Sequence, residues 1–344
     1  MTVQQEFINF NDRIKLSRRD DAYTKARTKD DSITSAIKDA FKEEGYKVID
    51  DFLQGSLSTD TGVLKKDGDF DIDRALVIDE DDAPENPVDP KKVVLRVLEK
   101  RGFKNAKIKK PCITADYLSE NLHIDFTVYR RFGESTYQLA IGKYNSDENN
   151  REWSGSDPKG LKSWIKNNST YGASAGLKQN QFNRMVRYLK RWRDEQFSED
   201  VGRKIFSIAL TVMAKQSFTP SLTPEGQPND LEALKETVSK ILEYGYFTPC
   251  GTKYGVQVDL PVVPYIDIFT GSSLNTGTQL RNKLVTLRDK LVQVSEEADL
   301  VKQCTILNKL FGEDFHIPEP KKSHNTTKRV TYATAGAVGT SQGA

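Results

Sequence analysis

Two acids set two residues apart inside an apolar run place the tightest limit on how this chain folds. In Asp71-Ile72-Asp73-Arg74-Ala75-Leu76-Val77-Ile78 the alternation has the period of a β-strand, so Asp71 and Asp73 leave one face, roughly 6 to 7 Å apart at Cα. Such a pair on a half-buried strand is unfavourable unless positive charge offsets it, and a hard divalent cation does so readily. A second run, His123-Ile124-Asp125-Phe126-Thr127-Val128, puts Ile124, Phe126 and Val128 on one face and His123, Asp125 and Thr127 on the other. If these strands are neighbours, three carboxylates share a face, as two divalent ions about 3.5 to 4 Å apart require. His123 shares it too, in a solvated or structural role. Upstream, Val48 to Leu53 reads as a strand entering Gln54-Gly55-Ser56-Leu57-Ser58-Thr59-Asp60-Thr61. There a Gly-Ser step offers bare backbone N–H groups and a hydroxyl where a helix begins, a favourable place for phosphate.

Gly55-Ser56, Thr61 five positions after the serine, Asp71-x-Asp73 and the later Asp125 resemble the signature of the polymerase-β-like nucleotidyltransferases. Within that superfamily the chain is most similar to the bacterial cGAS/DncV-like nucleotidyltransferases of anti-phage systems. Two departures are visible: Asp60 stands where relatives often carry a basic or aromatic residue, and Asp69 adds a third acid in phase with the pair. The resemblance implies an α+β fold, with a polymerase-β-like sheet domain and a mostly helical C-terminal domain, bilobal around a cleft that holds the active site. It implies that Asp71, Asp73 and Asp125 are catalytic and ligate two Mg²⁺ ions, with Mn²⁺ able to substitute, and that Gly55, Ser56 and Thr61 bind nucleotide. The implied reaction joins ATP, GTP or other ribonucleoside triphosphates into a cyclic di- or trinucleotide, which diffuses to an effector protein. Two alternatives remain open: a transferase adding nucleotides to RNA or protein, and a non-catalytic nucleotide-binding scaffold. Retention of all three acids weighs against the scaffold.

The strands give way near Tyr144 to polar, Gly- and Pro-containing sequence and then to helical spacing. The expected division is a catalytic core with an N-terminal helix over 1–144, a helical domain completing the nucleotide cleft over 145–320, and a flexible tail over 321–344. A helix is expected from a capping Asp31 through Ile37 and Phe41 to Gly45, with a charged surface piece before it, and another from Pro90 through Val94 and Leu98. In Gln181 to Phe197, Phe182, Met185, Val186 and Leu189 mark a buried face. Arg184, Arg187, Lys190, Arg191 and Arg193 make the same helix basic, serving either as a solvated face or as phosphate contacts. By resemblance, Leu189-Lys190-Arg191-Trp192 supplies a basic residue to the triphosphate: Lys190 is the match, and Arg187 one turn earlier its understudy. Ser207 matches an assisting polar residue at the next helix, and reads equally as a small residue at a helix contact. Val256 to Phe269, with Pro261 and Pro264, is an irregular extended segment expected to wall the cleft.

At 344 residues, with 37% hydrophobic and 29% charged, the chain can bury one large core or two modest ones. Lysine and arginine total 51 against 49 acids, so there is no overall basic field of the kind that gives stable DNA binding. Cys112, Cys250 and Cys304 lie far apart without matching histidines and read as buried free thiols. No apolar run approaches the roughly 18 residues of a membrane span, and the N-terminus lacks a signal-peptide pattern. A bacterial cytoplasmic location is expected. From Lys321 the chain is basic, then small and polar, and cannot bury enough apolar area to order itself. It is either dispensable or, ending in the slim Gly343-Ala344, a substrate for the E1/E2-like ligase that some operons of the resembling family include.

Overall fold

The strand carrying the paired acids lies inside a mixed seven-stranded sheet. The computed structural model describes residues 2–16, 21–64, 70–117 and 122–319. Asp69, the start of the charged piece before Asp21, and the whole tail with Gly343 and Ala344 lie outside the described residues. In chain order the elements are α1 (Val3–Ile14), α2 (Asp21–Glu43), β1 (Val48–Leu53), α3 (Gly55–Ser58), β2 (Phe70–Asp79), α4 (Val88–Lys100), β3 (Lys107–Ile108), β4 (Ile113–Tyr117), β5 (Leu122–Phe132), β6 (Thr136–Ile141) and β7 (Glu152–Ser156). There follow α5 (Pro158–Lys166), α6 (Ala175–Gln196), α7 (Glu199–Gly202), α8 (Ser207–Ser217), α9 (Asp230–Glu243), the hairpin β8 (Phe247–Cys250) and β9 (Lys253–Val256), α10 (Leu274–Glu296) and α11 (Leu300–Phe311). Among them no helix is long and apolar enough to cross a membrane.

The sheet runs β1-β2-β5-β4-β3, with β6 on the far part of β5 and β7 beside β6. β2 and β5 are parallel and in a register that sets Asp73 directly beside Asp125 and Asp71 beside His123. The other face carries Ile72, Leu76, Ile78, Ile124, Phe126 and Val128, all fully buried under Ile33, Ile37 and Phe41 of α2 and Val94 and Leu98 of α4. Arg74, on that covered face, reaches Asp30 at 3.2 Å, Asp31 at 2.8 Å and Asp51 at 2.8 Å. α2 therefore does not begin at Asp31. Its two acids lie mid-helix, where they neutralise a buried guanidinium that would be strongly destabilising if left unpaired.

Lys91 of α4 is fully buried and donates to the carbonyls of Lys109, Lys110 and Gly142 at 2.8, 2.8 and 2.7 Å, tying the helix to both ends of the β3–β6 region. The sheet also extends past the expected boundary at 144. β7 pairs with β6 from Tyr137–Ser156 to Ile141–Glu152, although Glu-Trp-Ser-Gly-Ser shows no apolar alternation.

A second core gathers around α6, with Phe182, Met185, Val186, Leu189 and Trp192 packed against α8, α9, α10 and α11. Although first in the chain, α1 belongs to this core: Phe10 lies 5.3 Å from the Tyr188 ring and 5.1 Å from Phe315. A buried pair, Arg184 with Asp230 at 2.6 Å, joins α6 to α9, and the Tyr188 hydroxyl donates to the same carboxylate at 3.0 Å. Cys112 and Cys304 are buried, but Cys250 is exposed on β8, correcting the expectation for that thiol.

Candidate active site

The turn after β1 is built around one glycine. Gly55 opens α3 at φ +62, the left-handed region that side chains rarely adopt. A Cβ placed on it would stand 2.0 Å from Oδ2 of Asp73, so the carboxylate rests directly on the glycine backbone. Ser58 and Thr59 donate their hydroxyls back to the Gly55 carbonyl at 2.9 and 3.3 Å, and Thr61 N–H donates to Ser56 O at 3.0 Å. The Ser56 hydroxyl has no partner among the described residues and lines a cavity of about 390 Å³. That cavity also takes in Asp71, Asp73, Thr61, Lys190 and Ser207. Leu260, Val262, Val263 and Pro264 wall it, as expected for the irregular segment.

Burial, then the charges of Asp125 and Asp71, push the Asp73 carboxyl up to about 7. Lys190, opposite, is pulled down to about 7 by burial and by Arg193 and Arg187. Its Nζ donates to Thr61 O at 2.9 Å. Burial opposes ionisation of Asp125, but hydrogen bonds from His123 and Thr114 hold it below the usual carboxylate range. Its Oδ1 receives Thr114 and lies 3.2 Å from His123 Nε2. The other nitrogen of His123 is bonded to Asp116. The hydrogen bond to Asp125, with the charges of Asp125 and Asp116, raises the imidazole above its ordinary value.

The expected three-carboxylate metal set is therefore not closed: among the described residues no three His, Cys, Asp or Glu side chains stand together as a ligand group. Asp125 is engaged by Thr114 and His123 while Asp73 leans on Gly55. By donor type the residues still fit a divalent cation, with oxygens only, on one face, and Asp73 raised by its neighbours' negative charge.

Residues 1–168 match the family described as the Second Messenger Oligonucleotide or Dinucleotide Synthetase domain. Over that part, just under half of its length, the chain is similar to the cGAS/DncV-like nucleotidyltransferases. The fold is shared with solved structures over about nine-tenths of the chain. It is similar to Vibrio cholerae DncV, a cyclic AMP-GMP synthase solved with the linear intermediate 5′ pppA(3′,5′)pG, at 16% identity and TM-score 0.69, over 91% of this chain and 96% of that one. Bradyrhizobium diazoefficiens CdnG in complex with GTP aligns at 16% identity and TM-score 0.67, over 92% and 97%. Escherichia coli CdnC in a complex with HORMA-deltaN aligns at 15% and 0.64, over 91% and 98%. No curated protein sequence matches the chain.

The basic residues of α6 have separate places. Arg187 does not line the cavity: it bonds Asn11 Oδ1 at 2.8 Å and the Asp60 carbonyl, clasping α1 and the loop after α3. Arg191 donates to Leu64 O at 2.7 Å in the same loop. Neither is a solvated face, and only Lys190 faces the cavity. Ser207 opens α8 and lines the cavity, its Oγ accepting from Arg193 at 2.9 Å. Thr61 lines it with its carbonyl held by Lys190 and its hydroxyl 2.9 Å from Thr59. Sequence reasoning missed Gln54 and Tyr129. The Gln54 side chain donates to Thr127 at 2.9 Å and accepts from the Tyr129 hydroxyl at 3.0 Å, fixing the lead-in to Gly55. It also missed Lys162 of α5, which lines the cavity.

Proposed function

We propose that the protein joins ribonucleoside triphosphates into a cyclic oligonucleotide that an effector protein reads in anti-phage signalling. The observation that carries this reading is the shared cavity, in which the Asp73 carboxylate rests on the Gly55-Ser56 turn with Lys190 across from it. The backbone of the Gly55-Ser56 turn and the Ser56 hydroxyl orient the donor's phosphates. Lys190 offsets charge on the departing pyrophosphate. Asp71, Asp73 and Asp125 would hold divalent ions, which when bound supply Lewis-acid stabilisation of the phosphoryl oxygens. Asp125, kept ionised by His123 and Thr114, accepts the proton of the attacking ribose hydroxyl. With Mg²⁺ or Mn²⁺ and the four ribonucleoside triphosphates, purified protein should release a phosphatase-resistant product, and Asp71→Ala should abolish it. Only chains with a free 5′-triphosphate, or a covalent adduct on protein, would sink the cyclase reading.

The pH dependence follows from Lys190. Charged phosphates favour its ammonium form, so binding takes up a proton wherever the free protein's lysine is neutral. Nucleotide affinity should fall as pH rises above about 7, by at most about tenfold per unit, and Lys190→Met should bind weakly with that limb gone. In the ligand-free protein the sign reverses. The burden of a buried ammonium is fully present below about 7 and is relieved as pH climbs toward the usual 10.5. Calorimetric titrations at pH 7 and 9 check the first statement and thermal unfolding the second.

A further inference from the structure

Gln54 stands at the entry to the Gly55-Ser56 turn, yet its side chain makes no hydrogen bond to α3. It reaches instead past β2 to β5, where Thr127 and Tyr129 continue the face of Asp125 at the two-residue period of a strand. The directions of these bonds are fixed. The Arg74 carbonyl can only accept, so the Thr127 hydroxyl, 3.3 Å away, gives its proton there. The Thr127 oxygen is left to accept from Nε2 of Gln54 at 2.9 Å, and that orientation of the amide turns Oε1 to the Tyr129 hydroxyl, which donates at 3.0 Å. Thr127 and Tyr129 are both buried, and the backbone N–H of Gln54 donates to the Asp73 carbonyl at 3.0 Å. One residue thus joins the turn to the backbone that carries Asp73 and to the strand that carries Asp125.

Resting on the transferase reading above, we propose that Gln54 is a positioning residue for the transfer, holding the Gly55-Ser56 turn in register with Asp73 and Asp125. The bonds from Ser58 and Thr59 to the Gly55 carbonyl lie within the turn and keep its shape. The Gln54 chain ends on β2 and β5 and keeps its place. Without that side chain the turn can still follow a phosphate, so ground-state binding changes little. What is lost is the alignment of the donor's α-phosphorus with the acids, which counts only at the transition state. The chain needs one donor and one acceptor on a single side chain long enough to reach β5, and an unbranched amide supplies both without adding charge beside Asp73.

The test is the rate of pyrophosphate release with Mg²⁺ and ribonucleoside triphosphates, with folding followed by circular dichroism. Gln54→Met keeps most of the length and makes neither side-chain bond: its kcat should fall by about 10- to 100-fold while the nucleotide KM stays within about threefold. Two changes at Thr127 separate hydrogen bonding from packing. Thr127→Val keeps the branched shape without the hydroxyl and should lose about tenfold in kcat, whereas Thr127→Ser keeps the hydroxyl and should stay within about twofold of the native rate. A role in packing alone gives the opposite order. Adding Thr127→Val to Gln54→Met should lower the rate little further, because both break one chain. If Gln54→Met does not fold, the order of the two Thr127 variants decides. A native rate in folded Gln54→Met, Thr127→Val no slower than Thr127→Ser, or losses that multiply in the double variant overturns the proposal and leaves the transferase reading intact. No pyrophosphate from the native protein overturns that reading and the proposal with it.

Discussion

Asp73→Asn should make the metal-free protein more stable while abolishing transfer. The Asp73 carboxyl is held up to about 7 by burial and by Asp125 and Asp71, so at pH 8 the folded chain carries a charge that the unfolded chain accommodates freely. For a carboxyl raised above its unfolded 3.8, this burden is fully present above about 7 and fades as pH falls toward 3.8. The whole shift would correspond to about 4 kcal/mol, and the carboxylate's remaining contact with solvent reduces that to roughly 2 kcal/mol, or about 4 °C in Tm at pH 8. The gain should shrink to nothing near pH 4. Activity should fall by a factor of about a thousand or more, because the asparagine keeps the shape but loses the charge that holds divalent ions. Added Mg²⁺ should raise the Tm of the native protein at pH 8 and leave Asp73→Asn unmoved. A variant that is less stable at pH 8 would mean that Asp73 is already balanced by the protein's own cations, Lys190 foremost.

That trade of stability for charge was partly legible in the sequence, for a specific reason. Period-two alternation needs no tertiary information, so the shared face of Asp71, Asp73 and Asp125 could be read from the chain, and the register of β2 against β5 agrees with it. The apolar stripe of α6 was readable on the same grounds, through Phe182, Met185 and Leu189. What failed depended on partners remote in sequence. Asp31 looks like a cap only until Arg74 arrives from 43 positions away. Arg187 looks like a phosphate ligand only until Asn11 and the Asp60 carbonyl take it. β7 has no pattern of its own and is a strand because β6 offers it an edge. The hydrogen bond of Thr114 to Asp125 likewise could not be foreseen, since only the antiparallel pairing of β4 with β5 sets those side chains together.

Gly55→Ala tests whether the contact between that pairing of acids and the Gly-Ser turn is what the site is built on. Two separate penalties fall on the alanine. At φ +62 its backbone is strained by roughly 1 to 2 kcal/mol, and its Cβ would lie 2.0 Å from Oδ2 and 2.8 Å from Cγ of Asp73. The first is a local effect on folding; the second drives the carboxylate off its position. Gly172 provides the control, for it has the same φ of +62 and nothing within 4 Å of where a Cβ would sit. Gly172→Ala should therefore lose about 1 kcal/mol and keep its rate. Gly55→Ala should lose a comparable or larger amount of stability and, because a displacement of about 1 Å at a reacting centre forfeits about a hundredfold, most of its activity. The two substitutions at the contact should also fail to add: in an Asp73→Asn background, Gly55→Ala has no charge left to misplace and should lower the residual rate only slightly. Activity of Gly55→Ala within about threefold of Gly172→Ala would show that the turn and the carboxylate work independently, and the cavity would need a different account of how phosphate and acid are brought together.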